Sequence, residues 1–280
     1  MPVIVISRGT LAGAALLAES VASELQIPCA SREIIAEAAH TAGVSEDVLV
    51  EQMDRHPSFF NRYSRERDLY LLHIRSALCQ QAAHGSFVYH GHGGNFLLTD
   101  ISNLIRVRVV ASVEFRVAAV MESQGLGPKE AEKYVHRIDK YREKWARYLY
   151  GIDWQDPSFY DLIFNLEKLD VEDACKLLTQ CTRLERFAWT EESKQNIADV
   201  ALAAHVTAAL AKGGELYKGR LELAASANVL TISGCVRSKQ SWHDVRAAAE
   251  TVIGDAELCF DVTIASDGFE HVYPLPPPKE

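Results

Sequence analysis

Hydrophobic positions in this chain alternate between short β-branched runs and longer segments in which apolar residues recur every three or four positions. Val3–Ile6 is the first short run, and Leu104–Ala111 and Tyr160–Asn165 repeat its composition further along. Ala14–Leu25 and Arg67–His84 have the helical spacing. Short apolar runs predict buried strands, whereas the wider spacing predicts helices with one apolar face. Strands that alternate with helices predict an α/β fold, in which a parallel sheet has helices on both faces.

A second group of elements follows a polar stretch in the last third of the chain. Residues 183–198 combine weak periodicity with a polar composition, which predicts a linker. A helix, two strands, a helix and a third strand are predicted after it, at Asp199–Ala211, Arg220–Ala225, Val229–Ser233, Ser241–Ile253 and Ala256–Ile264. This αββαβ order predicts a small α+β domain over 199–266, separate from a first domain over 1–182. Residues 267–280 are rich in proline and predict an extended tail.

Composition and charge narrow the class of protein. The chain has 280 residues, 48% hydrophobic and 24% charged, which is ordinary for a globular protein. Its formal net charge of −9 argues against general nucleic-acid binding, so no nucleic-acid partner is expected. No apolar run approaches the roughly 20 residues that span a bilayer, so no transmembrane segment is expected. Met1-Pro2 leads directly into the first strand without a signal-peptide core. The six cysteines are scattered, which suggests reduced thiols rather than a metal site or disulfides. We therefore expect a cytoplasmic protein without a metal site.

The segment between the first strand and the first helix has the architecture of a phosphate-binding loop. Ser7–Gly13 is a turn of small residues that leads directly into a helix, so it can present backbone N–H groups to an anion. The G-x-x-x-x-G-K-[ST] pattern adds a lysine and a hydroxyl, but Ala14-Ala15-Leu16 stands in their place. A packed turn without a ligand is the alternative interpretation. The candidate nucleotide-binding residues are Arg8, Gly9, Thr10 and Gly13.

Six motifs follow one another through the first domain. In chain order they are Val5-Ile6-Ser7-Arg8, Ile27-Pro28-Cys29-Ala30-Ser31-Arg32-Glu33-Ile34-Ile35, Val88-Tyr89-His90-Gly91-His92-Gly93-Gly94-Asn95, Val107-Arg108-Val109-Val110-Ala111, His136-Arg137-Ile138-Asp139-Lys140-Tyr141-Arg142 and Tyr160-Asp161-Leu162-Ile163-Phe164-Asn165. From Val3 to about Leu178, their joint order resembles the cytidylate kinase-like family of P-loop nucleoside monophosphate kinases. The resemblance implies a P-loop kinase-like sheet, a nucleotide partner, and ATP with Mg²⁺ as cofactors.

The resemblance also implies roles for individual residues. The fifth motif resembles the family's lid helix, which makes Arg137, Asp139 and Arg142 the candidate catalytic residues. Arg32 and His92 are the candidate contacts to the acceptor nucleotide, which is CMP by default. These roles make the chain a nucleoside monophosphate kinase-like phosphotransferase.

Three departures from the family pattern support a second hypothesis. The family loop reads near Gly-Ser-Gly-Gly-Arg, where this chain has Leu11–Ala15. Ser31 replaces an aspartate of the second motif, and His92 replaces an arginine of the third. The alternative is therefore a catalytically degenerate pseudokinase that binds a nucleotide or another ligand in a regulatory role.

The second domain carries a short motif of its own. Val229–Val236 is a strand with a central glycine, and Ser241–Ile253 is a helix that ends at Gly254. These segments resemble a BON domain, a small α/β module. The resemblance implies that the domain binds a small ligand or a protein partner and performs no chemistry.

Overall fold

The structure, a computed structural model, describes residues 2–7, 13–49, 65–91 and 93–265. Strands and helices alternate through the first two thirds of the chain. In order, they are β1 Val3–Ser7, α1 Ala14–Leu25, β2 Cys29–Ala30, α2 Arg32–Ala42, α3 Arg65–His84, β3 Val88–Gly91, α4 Gly94–Leu97, β4 Leu104–Val110, α5 Val113–Gln124, α6 Pro128–Tyr150, β5 Leu162–Asn165 and α7 Val171–Cys181. A 3₁₀ turn at Pro157–Phe159 precedes β5.

Within the described residues, five strands form one parallel sheet in the order β2-β3-β1-β4-β5. The central strand β1 is fully buried, and its side chains divide between two cores. Val3 and Val5 join the core formed with α2 and α3, whereas Ile4 and Ile6 join the core formed with α1 and α7. Helices therefore cover both faces, which confirms the predicted fold class, and the carboxyl ends of the strands share one edge of the sheet.

A long helix, α8, continues from the first unit into the second. It spans Glu191–Gly213, and the elements that follow it are β6 Gly219–Ser226, β7 Val229–Val236, α9 Lys239–Val252 and β8 Glu257–Ile264. The second sheet has the order β6-β7-β8, with β6 antiparallel and β8 parallel to β7. This small mixed sheet with two helices is the predicted αββαβ arrangement.

The start of α8 differs from the predicted linker over 183–198. A 3₁₀ turn at Glu185–Phe187 and the first two turns of α8 occupy this stretch. Thr190 caps the helix, since its side chain accepts a hydrogen bond from the Ser193 N–H at 3.1 Å. The polar residues that suggest a linker in the sequence are thus the cap and the first turn of a helix.

Both cores include side chains of α8. Ile197, Ala201 and Ala204 are buried in the core of the first unit, against α3. Val206 and Leu210 are buried in the core of the second unit. Because one rigid helix supplies apolar residues to both cores, the two units share an element.

A buried carboxylate on α8 also organises the second sheet. The two Asp199 oxygens each accept a hydrogen bond at 3.0 Å, from the backbone N–H groups of Ala227 and Asn228. Those two residues form the β6–β7 turn and have φ of 52° and 63°, the left-handed conformation typical of a tight hairpin. Asp199 therefore fixes the hairpin onto the shared helix.

Among the described residues, none of the helices combines the length and the apolar character that crossing a bilayer requires.

Candidate functional site

The loop exit at Gly13 lies at the carboxyl edge of the sheet, between β1 and α1. Gly13 has φ of 80°, and its carbonyl accepts the first helical hydrogen bond, from the Leu17 N–H at 3.0 Å. A Cβ at this position would lie 3.1 Å from the Leu166 side chain, in addition to the strain of a positive φ. The sequence needs glycine here, because only glycine lets the chain turn this tightly into α1. The N-terminus of α1 consequently faces the edge at which an anion would bind.

The other three residues predicted for the loop, Arg8, Gly9 and Thr10, lie outside the described residues. Ala14, where a P-loop lysine would stand, is only 4% exposed and packs in the core between the sheet and α7. This position has become part of the hydrophobic core, so no cation comes from it.

A different cation lies beside the end of β1. The parallel register pairs Arg108 of β4 with Ser7, the last residue of β1. The Arg108 guanidinium carbon lies 4.7 Å from the centre of the Trp154 ring and 5.5 Å from that of Tyr160, and Nη1 donates to the Gln155 carbonyl at 2.6 Å. Burial lowers the pKa of Arg108, while Tyr160 and nearby carboxylates oppose the shift. A guanidinium ordinarily titrates so far above neutrality that this one stays charged.

Tyr160 connects the end of β1 with the lid helix α6. Its hydroxyl donates to the Trp154 carbonyl at 2.7 Å, and it also interacts with the Ser7 side chain. Burial raises the pKa of Tyr160, and the nearby cations Arg108 and Arg142 oppose that shift. Tyr160 is therefore a neutral hydroxyl group at neutral pH, and Arg142 of α6 lies near enough to affect its pKa.

The lid residues are held by an ion pair between α5 and α6. Arg116 Nη1 donates to Asp139 Oδ1 at 2.8 Å, and the two side chains are only 12% and 22% exposed. Arg108 is close enough that its pKa is affected by both Asp139 and Arg116. The Arg116–Asp139 pair thus lies near Arg108.

Arg137 has a different environment from the other two candidate catalytic residues. It is exposed, and its guanidinium carbon lies 5.4 Å from the centre of the Tyr134 ring on the same helix. The described residues therefore place Asp139 in the ion pair with Arg116 and Arg142 near Tyr160, whereas Arg137 lies on the outside of α6.

The two predicted acceptor contacts are only partly described. The backbone of Arg32 begins α2, which follows β2 at the edge of the sheet, but its side chain lies outside the described residues. His92 is also outside them, although it directly follows β3. Its neighbour Gly91 lies against the Tyr89 ring so closely that a Cβ there would collide with the ring. The third motif therefore needs glycine at this turn for packing.

A second arginine on β4 shows what a structural ion pair looks like in this sheet. Arg106 donates to Asp161 from its backbone N–H at 2.8 Å, from Nε at 3.2 Å and from Nη2 at 3.1 Å. Burial favours the neutral acid, but the hydrogen bonds from Arg106 outweigh it and lower the pKa of Asp161. Arg106 pairs with Val5, two residues before the end of β1, so this ion pair lies further from the carboxyl edge than Arg108 does.

Arg108, Arg116 and Tyr160 are site residues that the sequence did not identify. One signal was available: Arg106 and Arg108 alternate with valines in β4, so two charged side chains lie on the same face of an otherwise apolar strand. Their partners, however, come from segments more than 40 residues away along the chain, which no local pattern can reveal.

Comparison with known proteins agrees with this architecture. The model of the cytidylate kinase-like family matches residues 3–168. A cytidylate kinase of Pyrobaculum arsenaticum is 25% identical over 187 residues, which cover 66% of this chain and 95% of that protein. A cytidylate kinase of Sulfurisphaera tokodaii is 29% identical over 94 residues, 33% of this chain and about half (51%) of that protein.

A solved structure agrees with the fold. The crystal structure of an uncharacterized protein from Eubacterium ventriosum superposes with a TM-score of 0.51 and 22% identity, over 64% of this chain and 97% of that chain. At this identity the likeness concerns the fold. The family match extends over more than half of the sequence and therefore shows common ancestry. This chain belongs to the cytidylate kinase-like family.

Proposed function

We propose that this protein is a nucleoside monophosphate kinase-like phosphotransferase that uses ATP, with CMP as its acceptor. The observation that supports the proposal is the Arg116–Asp139 ion pair, which lies near Arg108, the register partner of Ser7 at the end of β1. Phosphoryl transfer needs correct positioning and positive charge around the transferred group, and little covalent chemistry from the protein. A group of arginines at the carboxyl edge of a parallel sheet meets both needs.

The residues divide into three roles in this proposal. Arg142 acts on the charge of the transferred phosphoryl group, Asp139 orients Arg116 towards the same place, and Arg137 completes the set when the lid closes. Arg8, Gly9, Thr10 and Gly13 hold the phosphates of ATP through the loop. Arg32 and His92 bind the acceptor nucleotide.

The described residues fit a triphosphate with its magnesium ion. The left-handed turn at Gly13 and the start of α1 suit an anion. No cluster of three or more His, Cys, Asp or Glu side chains occurs in the described parts of the chain. A nucleotide-bound Mg²⁺ does not need one, since one or two carboxylates and the phosphates hold it, and Asp139 and Asp153 lie near Arg108. When bound, the ion neutralises phosphate charge.

A second candidate function is supported by the buried Ala14. Because this position packs in the core rather than facing the loop, the protein would be a degenerate kinase that binds a nucleotide without turning it over. In that role the BON-like second unit would bind a small ligand or a protein and signal through α8, whose residues lie in both cores. We also propose that the protein acts in the cytoplasm, where its six scattered cysteines would stay reduced.

A turnover assay with matched variants tests the proposal. Purified protein is incubated with ATP, Mg²⁺ and each nucleoside monophosphate in turn, and the diphosphates are separated by chromatography. We expect CDP to form, and Arg142→Ala to lower its rate by about a hundredfold or more, as for loss of a transition-state donor. Arg147→Ala is the control, since Arg147 lies on the same helix but is 66% exposed and pairs with Glu143. If none of the nucleoside monophosphates is phosphorylated, the proposal of an enzyme is wrong and the degenerate kinase remains.

A further inference from the structure

Arg108 is a half-buried cation that has no carboxylate partner. Among the described residues, no Asp or Glu oxygen lies within ion-pair distance of its guanidinium, and its one hydrogen-bond acceptor is the neutral Gln155 carbonyl. Arg106, two residues earlier on the same face of β4, has both carboxylate oxygens of Asp161. Removing a charge from water is costly unless an opposite charge compensates it. The contrast indicates that the compensating anion of Arg108 comes from outside the protein.

The surroundings of Arg108 hold it in one place. Trp154 and Tyr160 pack against its guanidinium, and the 2.6 Å bond from Nη1 to Gln155 fixes its rotation. These contacts use one edge of the group. Nη2 has no acceptor among the described residues, although a guanidinium offers donors along two edges and suits bidentate binding of phosphate.

The position of Arg108 relates it to the phosphate-binding loop. Its register partner Ser7 is the residue from which the loop departs, and the other end of the loop, at Gly13, offers no cation because Ala14 is buried. Asp153 and Asp139 lie near enough to attract Arg108, and Arg116, which is already paired with Asp139, lies near enough to repel it. A phosphate at the end of β1 would add the direct ion pair that neither of these two carboxylates makes with Arg108.

We propose that Arg108 binds the phosphate groups of the nucleotide at the end of β1 and supplies a positive charge that the buried Ala14 does not. This inference rests on the proposed function, because it assigns a ligand contact within the same site. It also explains how a loop with an alanine in place of lysine can retain affinity for a triphosphate.

Calorimetric titration tests this assignment with three variants of the full chain. The probes are ATP with Mg²⁺ and inorganic tripolyphosphate, which lacks the nucleoside. We expect Arg108→Gln to weaken binding of both probes about tenfold or more, as for a lost charge-assisted contact. Arg108→Lys should recover part of the affinity. Arg106→Gln, the control, should leave both affinities within about twofold even if it lowers the melting temperature, because its partner is Asp161.

The outcomes separate the inference from the function on which it rests. If the wild type binds ATP and Arg108→Gln binds it equally well, the assignment of Arg108 is wrong and the proposed function stands. If the wild type binds neither probe, both are wrong. If Arg108→Gln does not fold, the Lys variant decides: unchanged affinity for both probes would overturn the assignment, and a loss of about threefold or more would support it.

Discussion

Asp139 on the lid helix α6 accepts a hydrogen bond from Arg116 on α5, with Oδ1 and Nη1 2.8 Å apart. The pair joins the two helices of a hairpin whose apolar core includes Val120, Ala131 and Val135. Asp139 is thus engaged with a guanidinium, and its role is to orient Arg116 and fix α6 against α5. The proposed site depends on this link, because Arg142 lies on the same helix.

Asp139→Asn should lower both stability and turnover. The substitution keeps the shape but leaves the poorly exposed Arg116 without its charged partner, which costs about 1–3 kcal/mol in free energy of unfolding. Denaturant unfolding of Asp139→Asn, Arg116→Gln and the double variant gives the coupling between the two side chains. We expect the double variant to cost less than the sum of the single variants. Strict additivity would show that the ion pair contributes nothing.

Arg137→Ala should affect turnover less than Arg142→Ala. Arg137 lies over Tyr134 on the outside of α6, whereas Arg142 lies near enough to Tyr160 to affect its pKa. In the proposed site, Arg137 would therefore need a movement of α6 to reach the nucleotide. Steady-state kinetics with ATP and CMP measures both variants. Equal losses in kcat would indicate that both arginines act in the same closed state. A larger loss for Arg137 would contradict the described placement.

Removing α8 should destabilise the first unit. A fragment of residues 1–190 lacks Ile197, Ala201 and Ala204, which are buried against α3 and the rest of that core. Loss of three buried apolar side chains removes several kcal/mol of burial energy. A fragment of residues 1–213 keeps them and should melt at a higher temperature. Equal melting temperatures for the two fragments would show that α8 belongs to the second unit alone.

His73 should make the stability of the first unit depend on pH. Burial, with smaller effects of Lys212 and His205, lowers the pKa of His73 from 6.5 to about 4, and Nδ1 lies 3.2 Å from Thr41 Oγ1. The unfolded chain therefore binds a proton that the folded chain does not, so this contribution is present above about pH 6.5 and is lost as the pH falls towards 4.

The loss attributable to His73 amounts to roughly 3 kcal/mol at the acidic limit. Denaturant unfolding at about pH 7 and pH 4.5 compares the wild type with His73→Gln, in which the difference between the two pH values should shrink. His136→Gln is the control, since the His136 side chain is 62% exposed and does not affect the pKa of His73. The same pH dependence in the His73 variant and the wild type would mean that another group is responsible.

The sheet could be predicted from the sequence because its signals are local. Val3–Ile6 is buried on both faces and therefore reads as a continuous apolar run, as strands of parallel sheets do. The start of α8 could not be predicted. Glu191 and Glu192 occupy the first turn of this helix, where acidic residues are favoured, and their polarity makes the stretch resemble a linker. The helix is recognisable only once α3 is seen packing against Ile197.

The candidate site divides in the same way. Gly13 could be predicted, because a small residue between a strand and a helix is a sequence signal for a phosphate loop. Arg108 could not, since its importance follows from the parallel pairing with Ser7 and from the lack, among the described residues, of a carboxylate in ion-pair contact with it. Both are properties of the tertiary structure. Arg106 has the same sequence context in β4, but it forms a structural ion pair with Asp161.

The transfer of label from ATP to CMP tests the central claim most directly. The protein is incubated with Mg²⁺, CMP and ATP labelled at the γ-phosphate, and the label is followed into the separated products. For a phosphotransferase we expect the label to appear in CDP, and to appear more slowly with Arg142→Ala than with Arg147→Ala. Label that stays in ATP, or that appears only as inorganic phosphate, would contradict a phosphotransferase.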